Sequence, residues 1–252
     1  MPRRTSYPPG TPCWVDLGSP DPAAAAEFYG ALLGWSVEFD ARPEAGGYGQ
    51  FTLRGERVAG IGPQTSPEMP PFWAVYFATA DVDATAEAVT AAGGQVIAGP
   101  MDVFTAGRLA VFADTNGTFV SAWQAIDHQG CGLVNEPGTF VWNELATPDP
   151  QRSADFYSAA FGLDADTGER GGVNLSVDGR MVCGAHPASE GEFPAWSVWF
   201  AVEDCEASAA TAAERGGTVL MPPSDMGFGI GAMVADPHGA VFGICTVNEP
   251  AD

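Results

Sequence analysis

The stretch WVDLGSPDPAAAAEFYGALLGW, residues 14–35, decides the fold because a second version, WNELATPDPQRSADFYSAAFGL, occupies residues 142–163. Further on, FWAVYFATADVDATAEAVTAAGGQVIAGP from residue 72 matches AWSVWFAVEDCEASAATAAERGGTVLMPP from residue 195. ADTNGTFVSAW from residue 113 likewise matches ADPHGAVFGIC from residue 235. The spacing between the copies shrinks only slightly along the chain, as small loop deletions after a duplication would produce. The sequence therefore predicts two similar domains, residues 1–127 and 128–252, with residues 125–138 as the linker segment.

Each copy predicts the same order of secondary structure. CWVDL and VWNEL alternate apolar with polar residues, which is typical of strands. The Asp21-Pro22 pair then provides an N-cap and a first-turn proline, and Gly34 ends the helix. Short strands follow, then AVYFATA, a second helix capped by Asp81, and three more strands. We predict an α+β fold with two strand–helix–three-strand modules in each copy.

Composition narrows the possible partners. The chain has 252 residues and a formal net charge of −22, which argues against binding nucleic acid and is compatible with a cationic or neutral ligand. All ten basic residues are arginine, so Schiff-base and P-loop lysine chemistry are excluded. The five cysteines form no CxxC pair, and neither a signal peptide nor an apolar run of membrane-spanning length is evident. We expect a cytoplasmic protein without a membrane partner, and we leave a homodimer open.

The module order, the D-P-x-x-x-x-x-FY helix and the late DPHG turn resemble the vicinal oxygen chelate superfamily. That superfamily includes glyoxalase I, extradiol dioxygenases and the bleomycin- and fosfomycin-resistance proteins. The resemblance covers residues 10 to 247. More narrowly, the GTPxWVDL opening and the VNExGTxxWNEL middle resemble tandem glyoxalase-like proteins of high-GC bacteria, some of them labelled hydroxylases in aromatic-polyketide pathways. The resemblance implies that two modules form an open, eight-stranded barrel around a cavity.

The same resemblance implies a divalent metal held by His, Gln or Glu from the first and last strands of each module. Metal ions of this kind need oxygen or imidazole donors and open coordination sites. The residues at the corresponding positions are Trp14, Ala74 and Ser121 in the first copy and Trp142, Ser197 and Gly243 in the second. At the loosely aligned fourth position, His186 is the one potential donor, opposite Gly62. We therefore expect no metal and no other cofactor.

Two carboxylates share a strand face with the tryptophans at the metal position. Alternate residues of a strand point to the same side, so Asp16 accompanies Trp14 and Glu144 accompanies Trp142. Either carboxylate could accept a ligand hydrogen bond, pair with a ligand ammonium, or act as a general base if burial raised its pKa. Alternatively, each could cap a backbone group or pair with an arginine. The candidate arginines are Arg108, Arg152 and Arg180.

Aromatic residues dominate the strands near these positions. They can stack on a planar ligand or simply pack in the core. The candidate ligand-binding residues are Trp14, Trp142, Trp73, Tyr76, Trp123, Trp196 and Trp199.

The leading hypothesis is a metal-free protein that binds a hydrophobic, aromatic small molecule, such as a secondary metabolite or antibiotic. It would serve sequestration and resistance, or a biosynthetic pathway. Whether the protein is an enzyme stays open. One alternative is a hydroxylase-, cyclase- or isomerase-like enzyme acting on an aromatic polyketide, with Asp16 or Glu144 as general base. Another is a metal-dependent enzyme resembling glyoxalases or dioxygenases.

Overall fold

The computed structural model describes residues 3–64, 66 and 68–246 of the chain. Residues 247–252, predicted to belong to the second domain, lie outside the described residues. The first half contains β1 (Pro12–Ser19), α1 (Pro22–Leu33), β2 (Ser36–Phe39), β3 (Gly49–Leu53), β4 (Glu56–Pro63), β5 (Phe72–Ala78), α2 (Val82–Ala91), β6 (Gln95–Val103), β7 (Gly107–Ala113) and β8 (Phe119–Ala125).

The second half repeats this order, which confirms the predicted α+β fold and its strand–helix–three-strand modules. No helix in the described part of the chain is long and apolar enough to cross a lipid bilayer. The elements of the second half are β9 (Phe140–Thr147), α3 (Pro150–Phe161), β10 (Asp164–Thr167), β11 (Val173–Val177), β12 (Arg180–Pro187), β13 (Ala195–Ala201), α4 (Cys205–Glu214), β14 (Thr218–Asp225), β15 (Ile230–Ala235) and β16 (Val241–Cys245).

The first helix of each half begins and ends where the repeated motif predicts. The Asp21 side chain accepts a hydrogen bond from the Ala24 backbone N–H at 3.0 Å, and the helix ends at Gly34, whose φ is 75°. In the second half, Asp149 caps α3 and Gly162 ends it with a φ of 73°. A side chain at either terminal position would have to adopt the left-handed conformation, which glycine adopts without steric cost.

Each half forms one open sheet of eight strands rather than a closed barrel. The order is β2-β3-β4-β1-β5-β8-β7-β6 in the first sheet and β10-β11-β12-β9-β13-β16-β15-β14 in the second. At the centre, β1 and β5 run antiparallel, and each of them has a parallel neighbour on its other side. The two modules of one half therefore meet at the middle of their own sheet.

The two sheets bury one face each in a single aromatic core. Phe200 from the second half contacts Trp35 and Trp73 from the first, with ring centroids 5.2 and 5.1 Å apart. Phe77 makes the corresponding contact with Trp196, at 5.5 Å. The helices also cross between halves, because α1 contacts α4 and α2 contacts α3. The shared core thus covers one face of each sheet, and the other face of each sheet lies outside it.

We expect Phe200→Ala to lower the free energy of unfolding by about 3–5 kcal/mol, because removal of a fully buried phenyl ring leaves a cavity. Urea denaturation would measure the loss. Phe193→Ala is the matched control, since Phe193 is 87% exposed and its removal should change stability by no more than about 0.5 kcal/mol. Equal effects of the two substitutions would contradict a core shared between the sheets.

Candidate ligand-binding site

A cavity of about 930 Å³ lies on the free face of the first sheet, which we call the cavity face. Its size is at the upper end of the range of roughly 300–1,000 Å³ typical of small-molecule sites. Aromatic side chains form its inner wall. They are Trp14, Tyr48, Tyr76 and Trp123.

Strand register explains which residues reach the cavity face. Trp14 lies opposite Tyr76 on β5, and Tyr76 lies beside Ser121 on β8. Directly paired residues of neighbouring strands point to the same side of a sheet. Asp16 and Ala74 are paired in the same way, two residues further along their strands. The structure therefore brings the positions that the resemblance assigned to metal ligands onto one face.

Asp16 lies at the floor of the cavity and is only half-buried. Its Oδ1 accepts a hydrogen bond from the Trp14 indole N–H at 2.7 Å and another from the Tyr48 hydroxyl at 2.8 Å. Burial raises the pKa of Asp16, whereas hydrogen bonds from Tyr48, Tyr76 and Trp14 act in the opposite direction. Burial, followed by the charge of Asp16, raises the pKa values of both tyrosines well above the ordinary phenol value, so both remain protonated donors.

Gly60 on β4 provides the space for this cluster. A Cβ atom at position 60 would lie 1.8 Å from Asp16 Oδ1 and 2.1 Å from the Tyr48 hydroxyl oxygen. No side chain can occupy this position while the Asp16–Tyr48 hydrogen bond is kept. The glycine is therefore part of how the carboxylate is held.

The segment between the two sheets forms another wall of the cavity. The Cys131 backbone N–H donates to the Cys13 carbonyl at 2.8 Å, and the Trp123 indole N–H donates to the His128 carbonyl at 2.8 Å. The His128 ring lies edge-on to Trp14, with centroids 4.3 Å apart. Burial, followed by the nearby Arg57 charge, lowers the pKa of His128 to about 4. His128 is thus a neutral cavity residue within residues 125–138, the predicted linker segment.

The mouth of the cavity is rich in carboxylates. Arg42 pairs with Asp40, and its guanidinium lies 4.0 Å from the ring centroid of Phe104 on the β6–β7 hairpin. This contact crosses from the β2 side to the β6 side of the open sheet. Six carboxylates line the cavity against two arginines, so the local field disfavours anions. The carboxylates are Asp16, Glu38, Asp40, Glu44, Asp102 and Asp127.

The same position in the second sheet has a different structure. Trp199 replaces Tyr76 and Gly243 replaces Ser121. The Trp199 indole lies directly on Gly243, where a Cβ atom would be only 2.1 Å from it. Trp199 is 8% exposed, so it occupies the volume that remains open in the first sheet.

Glu144 has an ionic partner that Asp16 lacks. Its Oε2 accepts a hydrogen bond from the Trp142 indole N–H at 2.7 Å, as predicted from the shared strand face. Its Oε1 lies 3.3 Å from His186 Nδ1, and this contact raises the pKa of His186. The second carboxylate is therefore part of a half-exposed ion pair.

The structure separates the seven candidate aromatic residues into three groups. Trp14, Tyr76 and Trp123 line the cavity. Trp142 and Trp199 lie on the corresponding face of the second sheet. Trp73 and Trp196 point to the other face and donate to the Tyr29 and Tyr157 hydroxyls inside the core. The alternation of β-strands explains this last placement, since Trp73 is three residues from Tyr76.

Among the described residues, neither Asp16 nor Glu144 forms an ion pair with an arginine. Arg108 pairs with Asp83 and Asp102. The indole hydrogen bonds to Asp16 and Glu144 take the place of an arginine partner.

The residues present do not fit the divalent metal that the fold implies. Trp14 and Ala74 offer no donor, and the Ser121 hydroxyl is a weak neutral one. Within residues 3–64, 66 and 68–246, no group of three or more His, Cys, Asp or Glu side chains is arranged to hold a metal ion.

Comparison with known proteins agrees with this architecture. The model of the Glyoxalase/Bleomycin resistance protein/Dioxygenase superfamily matches residues 13–122 and 139–244. "Putative glyoxylase CFP32" of Mycobacterium bovis is 42% identical, with 97% of each chain covered. "Anthracycline biosynthesis protein DnrV" of Streptomyces peucetius is 40% identical, covering 97% of this chain and 96% of that protein. The Mn(II)-bound glyoxalase from Novosphingobium aromaticivorans superimposes with a TM-score of 0.68 at 17% identity, covering 97% and 84%, which shows the shared fold.

Asp16→Asn should stabilise the protein at pH 7, because asparagine keeps an acceptor at Oδ1 and removes a charge whose burial is unfavourable. We expect the Tm to rise by about 2–4 °C, equivalent to about 1 kcal/mol for a chain of this size. A raised carboxyl pKa reduces stability fully above the folded pKa and no longer below the unfolded value of about 3.9, so the gain should shrink as the pH falls toward that value. Thermal unfolding at several pH values measures this, and Glu144→Gln, which breaks the pair with His186, should give no such gain. A lower Tm for Asp16→Asn at pH 7 would argue against the charge being the destabilising feature.

His128 should make stability fall with acidity. Its folded pKa lies below the unfolded value, so between pH 6.5 and pH 4 the unfolded chain takes up a proton that the folded chain refuses. The loss should reach about 3 kcal/mol. Urea denaturation of the wild type and His128→Gln across this range should show a flatter profile for the variant. His238→Gln, which keeps His128, should retain the wild-type slope, and identical profiles for all three proteins would refute the assignment.

Proposed function

Because the chain belongs to the Glyoxalase/Bleomycin resistance protein/Dioxygenase superfamily, we propose that it binds a hydrophobic, aromatic small molecule in the cavity of its first sheet, without a metal. The observation that carries this proposal is the aromatic wall around a hydrogen-bonding floor, at the position where the superfamily holds its metal. Trp14 and Trp123 are buried, and Tyr76 lies between them on the same face.

The arrangement suits a flat ring system. Indole and phenol faces favour offset or edge contacts with an aromatic ligand, each worth about 0.5–1.5 kcal/mol beyond the burial of apolar surface. The floor adds a few polar groups, Asp16, Tyr48 and Tyr76, which would orient a ligand bearing hydroxyl or carbonyl substituents. Sites of this composition are typical of small-molecule pockets.

The charge of the cavity also limits which ligands it can bind. Asp40 and Arg42 neutralise each other, and His128 stays neutral near pH 7, which leaves an excess of carboxylates at the mouth. An anionic ligand would be repelled, whereas a neutral or cationic one would not. This agrees with the net charge of −22.

The role would be sequestration of such a molecule or its handling in a biosynthetic pathway. The 40% identity to a protein named for anthracycline biosynthesis supports the second possibility, since anthracyclines are flat, polycyclic aromatic molecules. The paired position in the second sheet is filled by Trp199, so one ligand per chain is expected.

Binding can be tested with 1,4-dihydroxyanthraquinone, a planar and neutral hydroxyquinone. Trp14→Ala should weaken its Kd by roughly 5- to 150-fold, the range that loss of one stacking partner worth about 1–3 kcal/mol predicts. Isothermal titration calorimetry would give both the affinity and the stoichiometry.

Trp142→Ala is the matched control, because it removes the corresponding indole from the second sheet and should leave binding unchanged. Thermal unfolding identifies any variant that has lost its fold, and Trp14→Phe provides a milder change at the same wall. Equal loss from Trp14→Ala and Trp142→Ala, or binding at two sites per chain, would contradict the assignment to the first cavity. Failure of the wild type to bind would count against the proposed function itself.

A further inference from the structure

The carboxylate at the floor of the first cavity carries a charge that the fold does not explain. We propose that Asp16 is a general base that removes a proton from the carbon next to the carbonyl of a bound ketone, so that the protein catalyses keto–enol exchange. This activity rests on the proposed function, because the ketone must first occupy the aromatic cavity.

The first step is that Asp16 has no cationic partner. In the described part of the chain, no arginine or histidine lies within ion-pair distance of it. Glu144, at the same position in the second sheet, pairs with His186. A carboxylate taken out of water without a partner costs folding free energy, and asparagine could accept the same two hydrogen bonds. Structural stability alone therefore gives no reason for a charged group here.

The second step is the orientation of the two oxygens. Both hydrogen bonds, from Trp14 Nε1 and from the Tyr48 hydroxyl, go to Oδ1. The Tyr76 hydroxyl is a further hydrogen-bond partner of the carboxylate. Asp16 keeps partial exposure and lines the cavity, so two donors fix its Oδ1 while lone pairs of the carboxylate remain available to a ligand. A general base needs this combination of fixed position and free lone pair.

The third step is the supply of donors for the charge that forms. Tyr48 and Tyr76 lie on the same face as Asp16, and both remain protonated. When the C–H bond breaks, its electron pair forms the C=C bond and the carbonyl π pair moves to oxygen, giving an enolate. Because protonated Asp16 is a weaker acceptor than the carboxylate, the Tyr48 hydroxyl can then turn its proton from Asp16 Oδ1 to the enolate oxygen, as in other sites that stabilise oxyanions.

The reaction balances without a further reactant. The proton moves from carbon to Asp16 Oδ2, exchanges with solvent, and returns to the same carbon, so nothing is oxidised or reduced. Burial raises the pKa of Asp16, which makes its carboxylate a better proton acceptor than an exposed one. Gly60 keeps the floor open for this group, since any side chain there would displace it.

The test uses 1-tetralone and 2-tetralone, which place an enolisable carbon beside a carbonyl on a fused aromatic ring. The full chain is incubated with each ketone in D₂O, and mass spectrometry follows deuterium incorporation. Saturation-transfer NMR on the same samples records binding. We expect exchange well above the buffer rate with wild-type protein, and a fall of at least about 100-fold in Asp16→Asn with binding changed by no more than a few-fold.

Two further variants separate chemistry from structure. Glu144→Gln removes the corresponding carboxylate of the second sheet and should exchange at the wild-type rate. Asp16→Ala should regain part of the exchange when formate is added, because a small carboxylate can enter the space left by the side chain. A purely structural role of Asp16 would give no such rescue.

The outcomes are distinct. Binding of a tetralone without exchange, or exchange that survives in Asp16→Asn, overturns the assignment of Asp16 and leaves the binding function standing. If the wild type binds neither tetralone nor the hydroxyquinone, the proposed function falls and this activity falls with it. Exchange that depends on Asp16 and is rescued by formate establishes it.

Discussion

The packing of the two sheets through one aromatic core is the constraint from which the site follows. A sheet must bury one face, and here each sheet buries that face against the other, with Phe200 in contact with both Trp35 and Trp73. The opposite face of the first sheet packs a smaller cluster of side chains, among them the buried Trp14 and Trp123, beside the cavity. The half-buried Asp16 lies on this cavity face, outside the aromatic core that the two sheets share.

The cavity face of the first sheet and the corresponding face of the second sheet carry different side chains. A change from Tyr76 and Ser121 to Trp199 and Gly243 fills the second site, since the indole needs the glycine beneath it. The carboxylates diverge as well, because Glu144 gains His186 as an ionic partner and Asp16 has two hydrogen-bond donors instead. The two halves therefore differ on this face: the first has an open cavity, whereas in the second Trp199 covers Gly243 and Glu144 pairs with His186.

Local patterns were enough to predict the modules but not the whole site. The Asp-Pro and Gly signals define α1 and α3, and strand alternation correctly placed Asp16 beside Trp14. The same alternation places Trp73 and Trp196 on the opposite face of their strands, where the structure has them in the core. His128 and Tyr48 could not be found this way, because they reach the cavity from irregular segments whose position depends on contacts far away in sequence.

The charge of Asp16 costs stability that an asparagine at the same position would not cost. The net contribution of a hydrogen bond is about 1 kcal/mol, and the two that Asp16 accepts would be available to asparagine as well. The carboxylate adds a desolvation cost with no ion pair to offset it. Buried groups of this kind are common where a protein binds or transforms a ligand, because a charge that is poorly solvated interacts more strongly with whatever enters the site. The paired Glu144 in the second sheet shows what the same position becomes when its charge is compensated within the fold.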